Sequence, residues 1–142
     1  MKKTSNKSIL IIENDERILN ALQKKLKELR FIVISSMDGF EGFERAKQEM
    51  PDLVIVEDRL PVMSGLKVCR LLKYDERYKK INVIVMGSKD AMQGVEKEDY
   101  GFDGLIMWSA GLTGPKAHPG EYYVKLNVGE SSMTKSFQIL KK

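Results

Sequence analysis

Five short apolar runs punctuate the first three-quarters of the chain, at residues 9–12, 31–34, 53–56, 83–86 and 105–107. Each is rich in Ile, Val or Leu and nearly continuous rather than alternating, which predicts strands covered on both faces. The stretches between them have helical spacing. Ile18, Leu19, Leu22, Leu26 and Leu29 line one face of a helix that Asp15 can cap. Phe40, Phe43 and Ala46 mark a second helix, and Leu66, Val68, Cys69 and Leu72 a third. A fourth is expected from about Asp90 to Tyr100. It has only Ala91, Met92 and Val95 as clear apolar positions, and Gly94 sits inside it. A strand–helix alternation of this kind predicts an α/β fold: a doubly wound parallel sheet of five strands, right-handed crossovers and helices on both faces.

The alternation stops after the fifth strand. Where a fifth helix belongs, residues 109–120 carry Gly111, Gly114, Pro115, Pro119 and Gly120, the composition of a loop. Strict alternation follows: Tyr122, Val124, Leu126 and Val128 against Tyr123, Lys125 and Asn127. After a turn at 129–132, Met133, Lys135, Phe137 and Ile139 alternate again, so a β-hairpin replaces the helix. The chain thus divides into a basic tail (1–7), an α/β domain (8–108), a linker loop (109–120) and a hairpin appendage (121–142). A lone hairpin is marginal in water. The face formed by Tyr122, Val124, Leu126 and Val128 is expected to cover the sheet surface left bare by the missing helix, or the equivalent surface of a second copy.

Composition narrows the class. The 142 residues are 42% hydrophobic and 31% charged, with one cysteine and one histidine. An intrachain disulfide and a Cys- or His-rich metal centre are therefore excluded. No apolar run approaches the ~20 residues of a membrane helix, and the 9–12 run is too short for a signal-peptide core. The expectation is a protein of a reducing, cytoplasmic compartment without a membrane partner. The net charge of +4 collects at the two ends: Lys2, Lys3 and Lys7 give +3, residues 111–142 another +3, and residues 8–110 sum to −2. With no basic stripe or interleaved aromatics, a nucleic-acid partner is not expected.

In open α/β sheets the working residues lie beyond the carboxyl ends of the strands. After the first predicted strand come Glu13, Asn14 and Asp15. At the end of the third come Glu57, Asp58, Arg59, Leu60 and Pro61, then Met63, Ser64 and Gly65. Gly87, Ser88 and Lys89 follow the fourth, and Trp108 the fifth. Four segments carry a resemblance: I-L-I-I-E-N-D-E (9–16), P-D-L-V-I-V-E-D-R-L-P-V-M-S-G (51–65), N-V-I-V-M-G-S-K-D (82–90) and G-F-D-G-L-I (101–106). Residues 8–108 resemble the receiver domain of two-component response regulators. The resemblance implies a flavodoxin-like fold with strand order 2-1-3-4-5. It also implies phosphoryl transfer from a partner histidine kinase to an aspartate at the end of the third strand. An acidic pair after the first strand would bind Mg²⁺. A Thr or Ser after the fourth strand would contact the phosphoryl group, and a Lys after the fifth would complete the pocket.

Carried over position by position, the chemistry is altered. The acceptor position, four residues before Pro61, holds Glu57. The acidic pair falls on Glu13 and Asn14, the hydroxyl position on Gly87 and the lysine position on Trp108; the proline that usually follows it is Ser109. Glu sets its carboxylate one methylene farther out, and misplacement by about 1 Å can cost ~10²-fold. An amide at 14 removes charge from a hard-oxygen metal site. Without the lysine, the carboxylates of Glu13, Asp15 and Glu57 crowd together and invite a cation or a nearby base, Arg59 or Lys89 being the nearest. The weakened Mg²⁺ site implied by the resemblance would consist of Glu13, Asp15, Glu57 and the Arg59 backbone carbonyl.

Simpler roles stand beside these. Asp58 is one residue out of register, so its side chain points to the other face. Ser88 reads as an ordinary loop serine, Trp108 as a residue packed against the tail, Cys69 as a core thiol and His118 as a solvated loop residue. The scattered methionines fill gaps. The tail also resembles, over about twenty residues, the closing hairpin of immunoglobulin-like domains. Three functions follow. The first is a pseudo-receiver that signals by protein contact without catalysis, its partner a histidine kinase or a downstream signalling protein. The second is a true phosphoacceptor with an atypical pocket on Glu57 or Asp58 with Lys89. The third is a structural or assembly protein whose hairpin drives oligomerisation, a homodimer being one form.

Overall fold

The computed structural model describes the backbone of residues 7–108, 120–128 and 131–139, and the side chains of residues 7–107. The five apolar runs become β1 (Ser8–Ile12), β2 (Ile32–Ser36), β3 (Leu53–Glu57), β4 (Asn82–Ser88) and β5 (Gly104–Trp108). They pair in parallel in the order 2-1-3-4-5. This is the flavodoxin-like arrangement, whose functional crevice opens where the strand order reverses beside β1.

Alternate residues of the strands feed two cores, which is why the runs are continuous rather than alternating. Leu10, Ile12, Val54, Val56, Val83 and Val85 pack with Ala46, Val68, Cys69 and Leu72 on one face. Ile9, Ile11, Ile55 and Met86 pack with Ile18 and Leu19 on the other. The helices supplying these residues are α1 (Glu16–Glu28), α2 (Gly39–Glu49) and α3 (Gly65–Lys73). Each opens on a side-chain oxygen that accepts a first-turn amide. Asp15 accepts from Arg17 N, Asp38 from Glu41 N and Ser64 from Lys67 N.

Three expectations are corrected. β2 is an edge strand, and Ile32 is 53% exposed, so it is not covered on both faces. The fourth helix does not run from Asp90 to Tyr100: α4 is one turn, Lys97–Tyr100, preceded by turns over residues 89–94. Gly94 has φ +79°, a left-handed conformation that ends any helix started before it. The short helix is held from outside. Tyr74 Oη donates to the Glu98 carbonyl, Arg70 Nε to that of Asp99 (3.0 Å) and Cys69 Sγ to that of Tyr100 (3.4 Å).

The third correction concerns the tail. Its strands, β6 (Gly120–Val128) and β7 (Ser131–Ile139), form the expected hairpin. They do not lie over a sheet face. β6 pairs antiparallel with β5, Trp108 opposite Tyr122 and Gly104 opposite Leu126, so the sheet continues in plane to seven strands, 2-1-3-4-5-6-7. The interior edge strand β5 thereby finds a partner for its outer backbone groups. The basic residues Lys2 and Lys3 and the loop residues 109–119, His118 among them, lie outside the described residues.

Candidate functional site

The carboxyl ends of β1 and β3 are neighbours at the centre of the sheet, and each ends in a glutamate. Glu13 follows β1 and Glu57 is the last residue of β3; both are fully buried. Each uses one carboxylate oxygen to hold the backbone that turns away from its strand. Asp15 N donates to Glu13 Oε2 (3.1 Å) and Arg59 N to Glu57 Oε1 (3.2 Å). Around this pair the first-strand turn is otherwise polar and outward. Asn14 is exposed, while Asp15, 18% exposed in its side chain, takes the Arg17 amide as the α1 cap (2.9 Å).

The loop after β3 is fixed tightly. Asp58 N donates to the Met86 carbonyl (2.8 Å). The Asp58 carbonyl accepts from Gly65 N (2.9 Å), and its Oδ1 accepts from Leu66 N (3.2 Å). The Asp58 carboxylate therefore works as an anchor for the start of α3. Gly65 is required here, since a β-carbon at that position would fall 2.2 Å from the Glu57 carbonyl oxygen.

Gly87 and Ser88 are the last two residues of β4, not loop residues. Ser88 closes the turn that follows: its hydroxyl accepts from Ala91 N (3.0 Å) and its carbonyl from Met92 N (3.0 Å). That turn brings Met92, 4% exposed, against Gly87. A β-carbon at 87 would meet Met92 Cε at 2.7 Å, Cγ at 2.9 Å and Sδ at 3.0 Å. The space a hydroxyl-bearing residue would need is thus filled by a thioether. Lys89 is exposed, as is Arg59. Trp108 closes β5 opposite Ser88, and its side chain lies outside the described residues.

The structure thus brings Glu13, Glu57, Gly87, Ser88 and the backbone of Trp108 to one end of the sheet, and assigns Asp15 and Asp58 to helix starts. Of the positions that the resemblance assigns to Mg²⁺, Glu13 and Glu57 are buried and Arg59 is exposed. Among the described residues no three acidic, cysteine or histidine side chains gather as metal ligands, and Asp15 is committed to its cap. A partly buried lysine is found at the other end of the sheet. Lys73 Nζ bonds the Lys79 and Ile81 carbonyls (2.9 Å each) and Asp103 Oδ2 (2.8 Å), where β4 and β5 begin. Burial pushes the Cys69 thiol up to about 12, against which nearby Lys73 pulls down, so this sulfur is the inert core group expected of it. Two contributors escaped sequence reasoning. One is Met92, whose partner is defined only by the turn. The other is Ser36, 2% exposed at the end of β2, whose carbonyl accepts from Glu13 N (3.0 Å).

Comparison with known proteins agrees with this fold. The family model of the response regulator receiver domain matches residues 9–107. The alkaline phosphatase synthesis transcriptional regulatory protein PhoP of Bacillus subtilis is 31% identical over 100 residues, which cover 61% of this chain and 42% of PhoP. The chain thus spans less than half of that relative's length. The polar-differentiation response regulator DivK of Brucella ovis is 32% identical over 91 residues, covering 64% of this chain and 73% of DivK. Among solved structures, the signal receiver domain of a signal transduction histidine kinase from Syntrophus aciditrophicus superposes with a TM-score of 0.65 at 27% identity. That superposition covers 71% of this chain and 77% of the other. A family match over residues 9–107, which span the five parallel strands almost end to end, makes this chain a member of the response regulator receiver domain family, a signalling module of two-component systems.

Proposed function

We propose that this receiver module signals by protein–protein contact and does not use a phosphoryl switch. The observation that carries the reading is Glu57. Its carboxylate stands where the family resemblance puts the acceptor, yet it has no exposed surface and one oxygen is turned onto the Arg59 amide. In-line phosphoryl transfer depends on positioning and charge stabilisation. A buried, longer and backbone-held carboxylate supplies neither. The neighbouring positions point the same way: an exposed amide at Asn14, Met92 in the space beside Gly87, and no lysine at 108. With no reacting group presented, the module acts as a binding partner rather than a catalyst. Its partner is a protein of the same signalling system, a histidine kinase or a downstream component.

Intact-mass spectrometry after incubation with acetyl phosphate or phosphoramidate and Mg²⁺ tests this. The expected spectrum shows the unmodified mass only, for the wild-type chain and for Glu57→Asp alike, because positions 14, 87 and 108 are unchanged in the variant. A gain of one phosphoryl group that disappears in Glu57→Gln or Asp58→Asn would establish an atypical phosphoacceptor instead.

A further inference from the structure

Among the described residues the seven-stranded sheet ends on β7, and this edge is built unlike the other. β2, the opposite edge, is five residues long and parallel to its neighbour. β7 is nine residues long and antiparallel to β6, and its register runs without a bulge through nine consecutive pairs, from Ser131 opposite Val128 to Ile139 opposite Gly120. At ~3.4 Å per residue this is roughly 30 Å of backbone. Sheet edges in soluble proteins are usually blunted by proline, repeated charge, bulges or shortness. The β7 sequence S-S-M-T-K-S-F-Q-I has no proline and a single charge, Lys135.

We infer that β7 is a homodimerisation edge, pairing antiparallel with β7 of a second copy of this chain about a two-fold axis. A second copy of this chain is the favoured partner for two reasons. Antiparallel self-pairing is isologous and closes, using β7 of both copies at once, whereas β7 against the short β2 edge is heterologous and would build filaments. It also joins the two seven-stranded sheets into one, so that neither β7 remains an open edge. Two-fold symmetry requires one residue position to face itself. Centring on 135 would set like charges opposite each other, which is unfavourable. Centring on 134 pairs residues 131–137, and centring on 136 pairs residues 133–139. The inference does not depend on the phosphoryl reading, and its failure would leave that reading intact.

Light scattering of the full chain over a range of concentrations gives the first readout: the mass should double as concentration rises. Single-cysteine variants locate the interface, with native Cys69 silent because it is fully buried. Under mild oxidation, Thr134→Cys or Ser136→Cys should form a disulfide dimer at least ~10-fold faster than Lys24→Cys on the exposed side of α1. Thr134→Lys combined with Ser136→Lys should raise the dimer dissociation constant ~10-fold or more by placing like charges across the axis. Hydrogen exchange needs no mutation: β7 amides on the free edge should gain protection with concentration. A chain that stays monomeric at all concentrations would overturn the inference. So would a dimer in which β7 gains no protection and its cysteines cross-link no faster than position 24.

Discussion

At the scale of single residues, two positions show how this chain keeps the family's frame while altering its contents. Glu57 keeps a carboxylate at the end of β3, but burial and the Arg59 amide convert it into a support for its own loop. The identity of the acid was legible in the sequence; its enclosure was not, because burial depends on β4 and on the β1 turn. Val62 is the converse case. It lies in the β3–α3 loop with φ +73° and is 81% exposed, so a β-branched side chain is held in the left-handed region with no packing to offset the strain. Val62→Asn and Val62→Gly should each raise stability by about 1 kcal/mol, since both residues accept that conformation more readily. Urea denaturation checks this, and loss of stability in both variants would refute the strain argument.

Between elements, the end of β4 and the turn after it are coupled through one contact. Gly87 leaves room that Met92 occupies, and Ser88 fixes the turn that delivers Met92. Gly87→Ser should therefore cost about 1–3 kcal/mol by overpacking. The double variant with Met92→Ala should be less destabilised than the sum of the singles by about 1 kcal/mol or more, as expected for residues that share one space. A strictly additive cycle, measured by denaturant titration, would show that Met92 does not fill the site. The same region explains the one helix that sequence reasoning lengthened. Ala91, Met92 and Val95 read as a weak helical stripe, but Gly94 takes a left-handed φ, and the residual turn 97–100 is held by Cys69 and Arg70 of α3 and by Tyr74 just after it. Propensity marks that an element is weak; tertiary bonds decide where it resumes.

For the molecule as a whole, the tail decides the shape of the sheet. Without residues 109–142, β5 would lose the ladder that joins positions 104–108 to 122–126 and would become a bare edge. A chain ending at 108 should melt at a lower temperature and aggregate with rising concentration in sedimentation; a truncated monomer of unchanged stability would show that the hairpin contributes nothing. The sequence alone determined the α/β alternation, the helix cap at Asp15, the hairpin and the altered pocket positions. Each of these rests on local spacing or on residue identity, which a linear chain displays directly. Only the tertiary structure decided that Ile32 of β2 is exposed, that Asp58 anchors α3, that Met92 stands against Gly87 and that the hairpin extends the sheet rather than covering it. These depend on which segments, distant in the chain, become neighbours. Alternating residues specify that a strand has two faces, but not which backbone edge it will pair with.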